Sequence, residues 1–190
     1  MYKHPTPYRL LGRSVGNGEC AAIAQAGVPG LVPLPVPGSH PQRYYPRVSD
    51  WVRGHRVKGY HLPIGTVIAT FDSNGCYVGQ AHFHYQGTGL AHTALYLGQS
   101  KAGIEVIHQY AHHPARKALI LFGGGKRRDA CYADGYQSAG VSHRGLSVED
   151  DADNYYVVEL RPTPALQNRA GTPNPEDFAV HVSGSIAPKL

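Results

Sequence analysis

From residue 63 onward the apolar positions fall in short β-branched and aromatic runs separated by turn residues. Pro63-Ile64-Gly65-Thr66-Val67-Ile68-Ala69-Thr70-Phe71 is the first run, Asp72-Ser73-Asn74-Gly75 reads as a hairpin turn, and Cys76-Tyr77-Val78 starts a return strand. Gln86-Gly87-Thr88-Gly89 turns the chain again. Ala91–Leu97 and Ile104–Tyr110 follow as two strands joined across Gly98–Gly103, and Asn154–Leu160 is a last strand. Strands at this spacing, linked by short turns, predict an antiparallel sheet. The first third is patterned differently. An apolar run predicts a helix over about Glu19–Ala26, ended by Gly27 and Pro29. Residues 1–14 read as an irregular leading arm. Residues 27–47 carry Pro29, Pro33, Pro35, Pro37, Pro41 and Pro46 and read as an extended loop. Ser49–Gly54 reads as a short helical turn with Trp51 packed inward as a core anchor. The pattern predicts an α+β fold: an N-terminal helix against an antiparallel sheet, in one domain over residues 1–160. Residues 111–153 read as a loop-rich insertion and 161–190 as a loosely held tail.

Composition changes this picture little. A chain of 190 residues can bury a good core in one domain, and 23 Gly with 15 Pro point to many turns around it. The net charge of +5 suggests an anionic partner. Apart from Lys126-Arg127-Arg128 the basic residues are scattered, with no basic helical stripe and no aromatic–basic motif, so nucleic acid is not the expected partner. No apolar run reaches the length of a membrane span. Met1-Tyr2-Lys3-His4-Pro5 lacks the apolar segment of a secretory signal, so the expectation is a chain made in the cytoplasm and exported by other means. No paired-carboxylate motif suited to cutting sugars is present.

Candidate chemistry lies at the helix start. In Val15-Gly16-Asn17-Gly18-Glu19-Cys20 a loop of small residues leads into the predicted helix, with Asn17 or Gly18 as a possible cap. A cysteine in a first helical turn meets free N–H groups and the helix dipole, which favour the nucleophilic thiolate. The same stretch is also compatible with Cys20 as a small buried core residue. Two strands carry histidine, His92 and His108, at positions that could pair across the ladder if Gly98–Gly103 is a hairpin. A thiolate at a helix start, an imidazole on a rigid strand and a polar residue beside that imidazole are the parts of a Cys–His nucleophile. Against this stands the number of histidines, 12, most of which must be ordinary surface or core residues. A second chemistry also draws on them: His82, His84, His92, His108, His112 and His113 could serve as metal ligands, and His82 and His84 share one strand face. The three cysteines form no CxxC pair. If Cys20 is free, Cys76 and Cys131 are left either to pair or to remain two thiols.

Four segments together resemble the NlpC/P60 cysteine peptidases. They are Gly16-Asn17-Gly18-Glu19-Cys20 before the helix, Gly65–Phe71, His92-Thr93-Ala94-Leu95-Tyr96-Leu97-Gly98, and Gly103-Ile104-Glu105-Val106-Ile107-His108-Gln109-Tyr110. The resemblance is greatest to the branch of small amidases acting on peptidoglycan, which includes antibacterial effectors of type VI secretion. It covers about residues 8–110 and the strand at 154–160. It implies a papain-like α+β fold with Cys20 as nucleophile, His92 as base and His108 at the third, orienting position, where relatives often carry Asp. If His108 does not fill that place, Gln109 or a backbone carbonyl is next in line. The implied reaction is cleavage of an amide bond in the stems or cross-links of peptidoglycan, without a cofactor or metal. The implied setting is the periplasm of a target bacterium, reached through a secretion machine, with a cognate immunity protein as partner. A non-catalytic wall-binding module on the same fold is the alternative.

Overall fold

The computed structural model describes residues 1–72, 74–77, 91–110, 113–123 and 151–162. Its frame is a six-stranded antiparallel sheet in the order β3-β8-β4-β5-β6-β7. The strands are β3 (Trp51–Arg56), β4 (Val67–Thr70), β5 (Thr93–Gln99), β6 (Gly103–Tyr110), β7 (His113–Leu121) and β8 (Tyr155–Leu160). A separate two-stranded ribbon pairs β1 (Leu34–Pro35) with β2 (Tyr44–Tyr45) inside the proline-rich segment.

Both faces of the large sheet are covered. Ile23, Ala24, Val28 and Leu31 pack on one face against Trp51, Val67, Leu95, Ile107 and Val158. Val57, Ile68, Ala94, Tyr96, Ile104, Val106 and Tyr155 form the core of the other. Two covered faces explain why β4 is apolar or buried at every position instead of alternating with polar residues. The leading arm is tied to the sheet. His4 N–H donates to Gly65 O at 2.9 Å, Val67 N–H to Tyr2 O at 2.9 Å, and Gly12 N–H to Ala115 O at 2.8 Å.

Several expectations are corrected here. The helix α1 spans only Ala22–Gln25, one turn, and its N-cap Ala21 offers no side-chain bond. Asn17 instead closes a local turn, accepting from Glu19 N–H through Oδ1 at 3.1 Å. At 49–54 the helical turn is a 3-10 turn over Val48–Asp50, and Trp51 opens β3. Cys76 does not return along β4; it bridges to Val52 of β3. His92 lies just before β5, and the residue opposite His108 is Ala94. β7 runs through the stretch expected to be loop. Its charged residues and Pro114 obscure a strand in sequence. They are tolerated because β7 is an edge strand with one neighbour, and Lys117 meets Glu105 of β6 at 2.8 Å. Residues 78–90 and 124–150, with the tail from 163, lie outside the described residues, and with them Cys131, His82 and His84.

Leu95 is fully buried on a strand with neighbours on both sides. We expect Leu95→Ala to cost about 2–5 kcal/mol in urea unfolding, from lost transfer energy plus the cavity left behind. A cost below about 1 kcal/mol would contradict this packing.

Candidate active site

Cys20 sits in the turn before α1 and not in its first turn. The loop in front of it depends on glycine. Gly16 and Gly18 have φ of +57° and +84°, and a Cβ on Gly16 would stand 2.9 Å from the Cβ of Ala22. Gln109 of β6 holds this loop from beneath. Its Oε1 accepts from Val15 N–H at 2.8 Å, and its Nε2 donates to Val15 O at 3.0 Å and to Glu19 O at 3.1 Å. Gln109 is fully buried, and these three bonds use both ends of its amide. It is therefore committed to the loop and does not orient His92.

The segment Ala91-His92-Thr93 forms the opposite wall. The Cys20 thiol can donate to Ala91 O at 3.9 Å. Burial pushes the thiol pKa up, but hydrogen bonding and charge from His92 push it down, joined by the Tyr77 hydroxyl and the Thr93 backbone N–H; the result lies below the ordinary thiol value. Neighbouring side chains and one N–H thus do what the sequence assigned to a helix dipole. His92 itself is buried, its backbone N–H donating to Thr70 Oγ1 at 2.8 Å. Its Nε2 lies 2.9 Å from Nδ1 of His108, with the rings edge to face at 5.2 Å between centroids. If that contact uses the Nε2 proton of His92, the other ring nitrogen is left to exchange a proton with the sulfur. The structure thus brings Cys20, His92 and His108 together.

Two residues that the sequence did not single out join them. Tyr77 places Oη 3.4 Å from Cys20 Sγ and accepts from Thr93 Oγ1 at 2.8 Å. Its ring lies against Trp51 at 5.1 Å and Phe71 at 6.1 Å between centroids. The apolar flanks of both residues hide their polar role in sequence; Thr93, a β-branched residue at the head of a strand, looks like an ordinary strand residue. Among the described residues Cys76 is a free thiol to which Arg161 Nη2 donates at 3.4 Å, and its pairing with Cys131 lies outside them. Among the described residues no group of three or more His, Cys, Asp or Glu side chains could hold a metal ion, and His82, His84 and His112 of that reading lie outside them. No described helix is long and apolar enough to cross a membrane.

The family model for domesticated amidase effector 2 (Dae2) matches residues 6–137. A solved structure titled type 6 secretion amidase effector 2 (Tae2) superposes with a TM-score of 0.54 at 26% identity, covering 86% of this chain and 97% of its own. No curated protein matches the chain.

The Gln109 clamp makes a testable demand. Gln109→Leu strips partners from three backbone groups, so we expect a loss of about 1–3 kcal/mol in stability. Amide exchange at Val15 should accelerate, and an unchanged exchange rate there would show that the loop holds its own shape.

Proposed function

The chain belongs to the domesticated amidase effector 2 family, and from that premise we propose that it is a cysteine amidase in which Cys20 attacks, His92 moves the proton and His108 orients His92. Membership makes it a peptidoglycan amidase effector of the type VI secretion class, with the α+β, papain-like architecture of Tae2. The finer placement among NlpC/P60 peptidases is supported by the order of the parts: Cys before α1, His at the head of one strand, a second His on the next. Residues 1–160 form the catalytic domain in this reading.

The observation that carries the proposal is the contact chain Cys20–His92–His108, in which the thiol is held below its ordinary pKa while half-buried against His92. The thiolate attacks the amide carbonyl carbon and forms a tetrahedral intermediate. Imidazolium of His92 gives its proton to the leaving amine, and a thioester remains on Cys20. Water then attacks the thioester with His92 as base, releasing the acid and restoring the thiol. His108 Nδ1 accepts from His92 Nε2–H throughout and keeps the ring turned toward the sulfur. The net positive charge of +5 suits a polyanionic wall. The proposal extends to action in a target periplasm, delivery by the secretion machine and a cognate immunity protein that blocks the cleft; the effector class supports this reading.

Mass spectrometry of muropeptides from purified peptidoglycan should show new amine and carboxyl ends in the peptide part after incubation with the protein. New reducing sugar ends would instead mark a glycosidase. Cys20→Ala should abolish this cleavage with little change in thermal midpoint, and cleavage at the wild-type rate would remove the nucleophile assignment.

His92→Ala should leave no measurable activity. His108→Ala should slow the reaction strongly, within the hundred- to ten-thousand-fold range typical of one acid–base group. His108→Asn or His108→Asp should recover part of it, because a side-chain oxygen can still accept from His92. A fully active His108→Ala would strip His108 of the orienting role.

A further inference from the structure

We propose that Tyr77 is a catalytic hydrogen-bond donor to the Cys20 sulfur, held in its donating orientation by the hydroxyl of Thr93. The proposal rests on Cys20 being the nucleophile. Two distances carry it. Tyr77 Oη lies 3.4 Å from Cys20 Sγ, within hydrogen-bond reach of sulfur, and Thr93 Oγ1 donates to the same Oη at 2.8 Å.

The direction of the first bond follows from charge. A thiolate has no proton to give and can only accept. Whenever the sulfur is ionised, the phenol must therefore be the donor across this contact. The Thr93 hydroxyl then occupies a lone pair of Oη with its own proton, so the phenolic proton is turned away from Thr93 and toward sulfur. Donor, phenol and sulfur form one short chain, and a bond to an ionised acceptor is about twice as strong as a neutral one.

The phenol keeps the proton it donates. Burial raises the Tyr77 pKa well above the usual phenol value, and the charge and hydrogen bond of Cys20 raise it further. The sulfur accordingly ionises first, and the pair does not exchange roles in the working range. Ring packing holds the oxygen in place. Trp51 and Phe71 flank the ring at 5.1 and 6.1 Å between centroids, so its position does not depend on the hydroxyl. Among the described residues, the titratable groups facing the sulfur are thus Tyr77, from the segment after β4, and His92, the residue before β5, with His108 of β6 behind His92. Thr93 serves twice, since its backbone N–H also bonds the sulfur.

A donor to the thiolate widens the pH range in which the nucleophile is ready. Its removal should raise the thiol pKa, so the thiolate is lost at higher pH and the acid limb of kcat/KM moves upward. Thr93 acts through Tyr77 as a positioning residue and should share the direction of the effect with a smaller size.

The test measures site-resolved iodoacetamide labelling of Cys20 against pH, by mass spectrometry of its peptide, so that Cys76 and Cys131 do not interfere. Tyr77→Phe keeps the ring and loses the donor. Its labelling midpoint should rise by about one pH unit, and the acid limb of kcat/KM should rise with it. Thr93→Val should shift the midpoint upward by less, and Thr93→Ser, which keeps the hydroxyl, should return it to wild type. A wild-type midpoint in Tyr77→Phe or in Thr93→Val overturns the proposal. If Tyr77→Phe does not fold, the comparison of Thr93→Val with Thr93→Ser decides alone. A Cys20→Ala protein that still cleaves peptidoglycan fully would remove the nucleophile assignment whatever the midpoints. An inactive Cys20→Ala with a wild-type Tyr77→Phe midpoint would remove Tyr77 alone.

Discussion

The side chain of Gln109 is the tie on which the site depends. It reaches from β6 to both ends of the loop that carries the cysteine, engaging Val15 through two bonds and Glu19 through one. His108 is its neighbour in sequence, so a single strand holds the Cys20 loop with one residue and the imidazole beside His92 with the next. A buried amide stabilises a structure only when its partners are in place, and an amide bonded at both its oxygen and its nitrogen favours one arrangement of the loop. The glycines at 16 and 18 let the backbone take that arrangement, which is strained for other residues.

The sheet supplies the rigidity behind this tie. β5 and β6 lie inside it with strands on either side, and both of its faces are covered. Side chains at the head of β5 therefore have fixed origins, and His92, Thr93 and the carbonyl of Ala91 surround the sulfur from three consecutive residues. One turn of helix contributes little field. The thiol is depressed by partners that touch it, an imidazole, a phenol and one backbone N–H, all of which overcome the opposing pull of burial. The lowered pKa of this thiol owes more to the strand wall than to the helix.

Much of this was legible in the sequence, for identifiable reasons. The strands at β4, β5, β6 and β8 announce themselves by β-branched runs between turn residues. The glycine loop before an apolar run marks the cysteine. β7 is hidden because an edge strand can afford charge and proline, and pairing with β6 was not visible in its own residues. Tyr77 and Thr93 were missed because aromatic and β-branched residues fit a sheet whether or not their hydroxyls are used. Gln109 did carry a signal: it falls in register with Ile107 on the face that packs against α1. A polar residue in a core register implies a specific partner, but only the fold shows that the partner is the Val15–Glu19 loop and not His92.

The central claim is that the sulfur of Cys20 forms a covalent bond to the acyl part of the substrate. The most direct measurement is acid quenching of the protein within its first turnovers on a peptidoglycan stem peptide, followed by intact-mass analysis and mapping of the adduct. The account predicts a transient thioester on the Cys20 peptide, equal in mass to the acyl fragment and absent from Cys20→Ala. Turnover at full rate with no adduct on Cys20, or an adduct that maps to another residue, would contradict it.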